Sequence, residues 1–186
     1  VAAGTHAMHV LTELDAAGHD AIQAAADHYA KLDRREQAAA ELRSALHGER
    51  ALTFGRLREL DLLFDRLAGR QALEAEAAYV ELFDRGRGTA LHLFEHVHGD
   101  SRDRGPAMVD LAKTYEQAGL QLAEGELPDH LTVVLEYAST QPAAQAREFL
   151  RELAHILQVI FSALLERRSP YASVLAAVLD LAGEPA

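Results

Sequence analysis

The chain has 186 residues, of which 49% are apolar and only 6% aromatic, and it contains neither cysteine nor tryptophan. Its 29 acidic and 18 basic residues give a formal net charge of −11, which argues against nucleic-acid binding because phosphate recognition needs a cationic surface. The lack of cysteine excludes disulfides, thiolate metal ligands and cysteine nucleophiles, and no apolar run reaches the roughly 18 residues of a membrane span.

The N-terminus shows no basic segment followed by an apolar one, so no secretory signal is evident and we expect a cytoplasmic protein. We expect no insertion into a membrane and no nucleic-acid partner. An acidic surface is compatible with a basic protein partner, because complementary fields speed encounter and reject wrong partners.

The first 50 residues predict two alanine-rich helices. One is expected over about residues 9–31, and the second runs from Asp33, its N-cap, to about Leu46. Their apolar faces are thin. We therefore treat residues 1–50 as a separate N-terminal region, loosely packed or mobile, and residues 51–186 as the core of one domain.

The helical pattern strengthens after residue 51. One apolar face is formed by Leu57, Leu60, Leu63, Phe64 and Leu67. Further helices are predicted over about 72–85, from Thr89 as N-cap to Gly99, and from Asp100 or Ser101 to Gly119.

The C-terminal part predicts three more helices. Asp129 is the predicted N-cap of the first, which ends near Ser139. The longest helix is expected after Pro142, and Ser169 with Pro170 begins the last. No segment shows sustained strand alternation, so the fold class is all-α, a single globular helical bundle.

One stretch has the form of a metal-binding motif. His92-Leu-Phe-Glu95-His96 reads H-x-x-E-H, and on a helix the two histidines would share one face and could hold zinc, with Glu95 activating a water. Because the motif needs a third protein ligand and none is evident, we favour histidines on an ordinary packed helix. A zinc metallopeptidase remains an alternative function, and so does a non-catalytic scaffold or dimerisation module.

Two further groups could carry chemistry. Asp129 and His130 are a candidate acid–base pair, although a helix cap beside a structural histidine explains them more simply. The Gly86-Arg87-Gly88 turn could bind an anion, but it lacks the strand–loop–helix setting of a phosphate loop. We therefore expect no catalytic residues and no resident metal or cofactor.

Three segments carry a family resemblance. They are Tyr-Val-Glu-Leu-Phe-Asp-Arg-Gly-Arg at 79–87, Leu-Phe-Glu-His-Val-His-Gly-Asp-Ser-Arg-Asp-Arg-Gly at 93–105, and Glu-Leu-Pro-Asp-His at 126–130. In this order and spacing, the chain resembles the NarJ branch of the TorD-like redox-enzyme maturation chaperones, which assemble nitrate reductase. The resemblance covers about residues 57–181. It does not extend to the leucine-rich opening segment of that family, and His92 is not part of the family pattern.

The resemblance implies a chaperone rather than an enzyme. Its members bind the N-terminal segment of the catalytic molybdenum subunit of nitrate reductase. They hold that apoenzyme while the molybdenum bis-guanine-dinucleotide cofactor is inserted, before membrane docking. Cofactor-delivery proteins are further candidate partners, and the residues leave monomer and dimer both open.

The candidate partner-binding residues come from these signature segments. The aromatic residues are hypothesised to seat an amphipathic peptide, with acidic groups at the rim, and the resemblance places function in the E-x-P-D-H loop. The full set is Tyr79, Phe83, Arg87, Phe94, Glu95, His96, His98, Arg104, Tyr115, Glu126, Pro128, Asp129 and His130.

Overall fold

Helices make up most of the computed structural model, which describes residues 35–48, 51–68 and 72–186. The α-helices are α1 Arg35–Gly48, α2 Phe54–Ala68, α3 Ala72–Tyr79, α4 Leu93–His98, α5 Arg104–Gln117, α6 Leu131–Thr140, α7 Ala143–Glu152, α8 Ala154–Glu166 and α9 Ala172–Ala182. A π-helical turn, Val80–Asp84, continues α3, and a 3-10 turn spans Arg87–Thr89. These ranges contain no β-strand beyond an isolated bridge, and the predicted all-α class is confirmed.

The predicted N-terminal helices are described only in part. The helix expected over residues 9–31 and its neighbour's cap Asp33 lie outside the described residues. Helix α1 confirms the second one, with an end at Gly48 instead of Leu46.

The main core lies around α8 and α9. Leu157, Ile160 and Leu164 of α8 are completely buried, as is Leu179 of α9. Because these α8 positions recur at intervals of three and four residues, they share one face of the helix. The core cluster that they form also contains residues of α4 and α6, so it lies directly beneath the signature segments.

A smaller apolar cluster joins α1, α2 and α9. It contains Leu42 of α1, Leu57 and Phe64 of α2, and Ala177 of α9. Arg56 Nε donates to Asp180 Oδ2 at 2.8 Å and fixes α2 to α9. The apolar face predicted for α2 is confirmed, with Leu57, Leu60, Leu63 and Phe64 buried.

Several predicted helix boundaries are wrong. The longest predicted helix is two helices, α7 and α8, which are separated by a turn at Leu153. Thr89 does not cap α4, because its hydroxyl is used within the 3-10 turn and α4 begins only at Leu93. Helix α5 begins at Arg104 rather than near Asp100, since residues 101–103 form a turn closed by the Arg104 N–H and the Ser101 carbonyl.

The π-helical turn lies inside the first signature segment. Its i to i−5 hydrogen bond runs from the Arg85 N–H to the Val80 carbonyl at 3.1 Å. The buried Thr89 hydroxyl bonds the Leu82 carbonyl and accepts from Arg167 Nη1 at 2.9 Å. A Cβ on Gly86 would lie 2.3 Å from that same Leu82 oxygen, so only glycine fits.

Gly86→Ala is expected to lower the free energy of unfolding by about 1–3 kcal/mol, the usual cost of overpacking. The clash is with backbone oxygen and cannot be relieved by a side-chain rotation. Gly88→Ala is the matched control, because its Cβ would meet only ordinary contacts, the nearest at 3.8 Å. Urea unfolding followed by circular dichroism measures both, and equal stability of the two variants would contradict the steric argument.

None of the helices in the described ranges is long and apolar enough to cross a membrane.

Candidate functional site

The E-x-P-D-H loop lies against the start of α4. The Leu93 N–H donates to the Asp129 carbonyl at 2.9 Å, and the Leu131 N–H donates to the Leu91 carbonyl at 2.8 Å. These two bonds form an antiparallel bridge between His92 and His130. The second and third signature segments, more than twenty residues apart in sequence, therefore meet at main-chain level.

The Asp129 carboxylate is the polar centre of this contact, and it has no exposed surface. Its Oδ2 accepts from the Phe94 N–H at 3.1 Å and lies 3.7 Å from Arg104 Nη2. Its Oδ1 lies 3.4 Å from His92 Nδ1. The prediction that Asp129 caps the following helix is wrong, because His130 is the N-cap of α6 and the Asp129 side chain reaches α4 instead.

The charges around Asp129 keep it ionised. Burial by itself would raise the pKa of Asp129, but the hydrogen bonds from His92 and the Phe94 N–H, together with the positive charge of Arg104, lower it overall. The hydrogen bond to Asp129 in turn raises the pKa of His92 against the opposing effect of burial. This arrangement holds the Asp129 carboxylate in a buried salt bridge, which gives it a structural role.

A buried tyrosine holds the other side of the loop. Tyr115 on α5 donates from its hydroxyl to the Pro128 carbonyl at 2.8 Å. Its ring lies 4.8 Å from that of Tyr137, which in turn lies 4.8 Å from Phe149. Burial raises the pKa of Tyr115, so the hydroxyl stays a donor at neutral pH.

The first signature segment contributes a second aromatic group. Phe83 is buried, and its ring lies 4.8 Å from Tyr79 and 5.1 Å from Tyr171. Burial also raises the pKa of Tyr79 to about 12. The structure gives Phe83 and Tyr115 packing roles in the core, and partner binding by either of them stays a prediction.

The H-x-x-E-H stretch does not have the geometry that zinc binding would require. His92 precedes α4 in an extended conformation, so His92 and His96 are not on one helical face. His96 Nε2 donates to the Ala90 carbonyl at 2.9 Å, and Glu95 faces Arg104 Nη1 at 3.5 Å. Within the described part of the chain, no three histidine or carboxylate side chains are grouped to hold a metal ion.

The remaining candidate residues lie nearer the surface. The edge of the His98 ring meets Phe94, with centroids 5.5 Å apart. Arg87 is exposed and pairs with the exposed Asp100 at 3.6 Å, which links the first and second signature segments. The structure thus brings the three segments together, but it buries Pro128 and Asp129 while exposing Leu127, which was not among the predicted residues.

We expect the stabilising effect of His92 to depend on pH. The pKa of His92 is raised in the folded state, so its contribution is complete below the unfolded pKa of about 6.5 and is lost as the pH rises through the folded pKa. The pKa of Asp129 is lowered, so its contribution is complete above about pH 4 and is lost at lower pH. Glu95 and Arg104 also face this pair.

His92→Gln should therefore destabilise the protein by about 1 kcal/mol near pH 5.5 and by less at pH 8. The expected loss is small because solvent screens part of a charged hydrogen bond at a half-buried ring. Urea unfolding at a series of pH values measures the difference from the wild type. His155→Gln, which removes an exposed imidazole that hydrogen-bonds the Glu152 carbonyl, controls for the loss of a histidine. A His92→Gln difference that grows with pH would contradict the assignment.

A comparison with known protein families finds one match that covers most of the chain. A sequence profile of the family described as nitrate reductase delta subunit matches residues 36–177. This range includes all three signature segments and all of α1 except Arg35.

Similar relatives occur in Escherichia coli and in Bacillus subtilis. The chain is 56% identical over 110 residues to the nitrate reductase molybdenum cofactor assembly chaperone NarJ of Escherichia coli K12. The aligned residues cover 59% of this chain and 47% of that protein. It is 51% identical over 111 residues to the probable chaperone NarW of the same strain, covering 60% of this chain and 48% of NarW. Over 101 residues it is 34% identical to the probable NarJ of Bacillus subtilis 168, covering 54% of this chain and 55% of that relative. The chain spans about half the length of the relatives it matches.

Proposed function

Because the chain belongs to the nitrate reductase delta subunit family, we propose that it is a non-catalytic chaperone for the assembly of nitrate reductase. The relatives named as molybdenum cofactor assembly chaperones support this proposal. Its client is the catalytic subunit, and the molybdenum cofactor is cargo delivered to that client.

The observation that carries the proposal is the convergence of the three signature segments. The Asp129 carboxylate joins the loop to α4, the Arg87–Asp100 pair joins the first segment to the second, and Phe83 shares a core with Leu93. A surface built from three distant segments fits recognition of another protein.

We further propose the stage at which the chaperone acts. It binds the N-terminal segment of the catalytic subunit and holds the apoenzyme until the molybdenum bis-guanine-dinucleotide cofactor is inserted, before membrane docking. The partner surface consists of the exposed and half-exposed candidates Tyr79, Arg87, Phe94, Glu95, His96, His98, Arg104, Glu126 and His130. The buried Phe83, Tyr115, Pro128 and Asp129 support that surface from beneath.

Isothermal titration of the purified chain with the catalytic subunit's N-terminal peptide tests the proposal. We expect saturable 1:1 binding, and no binding of a scrambled peptide with the same composition. A chain that binds neither peptide, and that is not recovered with the catalytic subunit from cells making both, would favour a helical scaffold instead.

A further inference from the structure

The E-x-P-D-H loop exposes a different residue from those that its motif emphasises. Pro128 and Asp129 are buried, whereas the side chain at the variable position, Leu127, is 43% exposed. A single exposed leucine is common on protein surfaces and needs no special explanation. What distinguishes Leu127 is the degree to which the backbone on its C-terminal side is fixed.

Four hydrogen bonds hold the main chain next to Leu127. The Pro128 carbonyl accepts from Tyr115, the Asp129 carbonyl accepts from the Leu93 N–H, the Asp129 carboxylate accepts from the Phe94 N–H, and the Leu131 N–H donates to Leu91. Pro128 also restricts Leu127 to an extended backbone conformation, because its ring disfavours the helical region for the preceding residue. A turn closed by the Glu126 N–H and the Ala123 carbonyl, with Gly125 at φ +87°, fixes the other side.

This rigidity reduces the entropic cost of using Leu127 in binding. A flexible loop loses conformational freedom when it contacts a partner, and that loss subtracts from affinity. Here the loop is already ordered by contacts to α4, α5 and α6, so Leu127 is preorganised for binding. An ordered, water-facing leucine gains the most from a partner that covers it with another apolar group.

The charges beside Leu127 indicate what else the partner carries. Glu124 is exposed and Glu126 is half-exposed, so two carboxylates lie within three residues of the leucine. The whole chain has a formal net charge of −11, which attracts a basic segment and rejects an acidic one.

We propose that Leu127 is the apolar anchor by which the loop binds the client, and that it receives a short amphipathic segment with a basic residue beside its apolar face. This inference rests on the proposed function and takes the client's N-terminal segment as the occupant. Asp129 and Tyr115 act as positioning residues, which hold Leu127 outward without touching the client.

Titration of a fluorescent N-terminal client peptide with the wild type, Leu127→Ser and Leu62→Ser tests the proposal. Leu62 is 57% exposed on α2 and serves as the matched control. We expect affinity to fall about tenfold for Leu127→Ser, which corresponds to about 1.4 kcal/mol, and to stay within about twofold for Leu62→Ser. Leu127→Met, which keeps an apolar side chain, should bind like the wild type.

The outcomes separate this inference from the proposed function. Wild-type protein that fails to bind the peptide would overturn the proposed function and the inference with it. Peptide binding by the wild type with equal affinity in Leu127→Ser would overturn only the anchor. The urea midpoints of all variants are measured alongside, and an affinity loss that follows a lower midpoint, with no rescue by Leu127→Met, would also overturn it.

Discussion

Asp129→Ala is expected to lower the free energy of unfolding by about 3–5 kcal/mol, the usual cost of removing one partner from a buried ion pair. The Asp129 carboxylate has no exposed surface, and it accepts from the Phe94 N–H while facing both His92 and Arg104. Alanine would leave the Phe94 N–H without this acceptor and would remove the negative charge that faces His92 and Arg104. Urea unfolding at pH 7 measures the effect.

Two further variants test whether the loss of stability comes from the buried Asp129 carboxylate itself. Asp129→Asn keeps the shape and one oxygen acceptor, so we expect a smaller loss of roughly 1–3 kcal/mol. Asp100→Ala removes a carboxylate that is 97% exposed and should change the stability by no more than about 0.5 kcal/mol. If Asp129→Ala proved as stable as the wild type but lost client binding, Asp129 would be a contact residue rather than a positioning residue.

Phe83→Ala is expected to cost about 3–5 kcal/mol, the range measured for removing a buried aromatic ring. Phe83 is only 6% exposed and packs between Tyr79 and Tyr171. Its removal opens a cavity beneath the π-helical turn, where the backbone is already held by Gly86 and Thr89. Because the chain lacks tryptophan, circular dichroism and tyrosine fluorescence report the unfolding.

Val80→Ala is the control for Phe83, since Val80 lies in the same π-helical turn and is 40% exposed, against 6% for Phe83. We expect it to change stability by no more than about 0.5 kcal/mol. Phe83→Leu should fall between the two, because it keeps part of the apolar volume. A folded Phe83→Ala variant of wild-type stability that no longer bound the client peptide would reassign Phe83 to the partner surface.

The two predictions concern residues from the same signature segments that carry the family resemblance. Both residues are buried, so we expect each of them to support the partner surface from inside rather than to form it. Loss of client binding in Asp129→Ala or Phe83→Ala could therefore result from unfolding, so it has to be interpreted together with the measured stability of the variant. The variant that separates binding from folding is Leu127→Ser, because Leu127 is exposed while its backbone is fixed.

The apolar periodicity of the sequence was sufficient to predict the all-α class and the buried face of α2. Leu57, Leu60, Leu63 and Phe64 of α2 are buried as the spacing indicated. Positions three and four residues apart share a helical face whatever surrounds the helix, so this information is local. The signature segments also indicated the family, because a motif is read from residue order alone.

The tertiary structure alone decided what the loop residues do. Asp129 was predicted to cap the helix beside it, but its carboxylate accepts a hydrogen bond from the Phe94 N–H, 35 residues earlier in the chain. The break at Leu153 and the π-helical turn at Val80–Asp84 were also absent from the predictions. Each depends on how helices pack against one another, and local spacing carries no information about that packing.

The sequence by itself therefore determined the helical class, the buried face of α2 and the family. The tertiary structure decided that Asp129 is buried and Leu127 is exposed, although the two residues lie only two positions apart in one motif. The physical reason is that a side chain's burial in a loop depends on the neighbours that reach it from α4 and α5. Those neighbours are distant in sequence, so only the folded chain brings them to the loop.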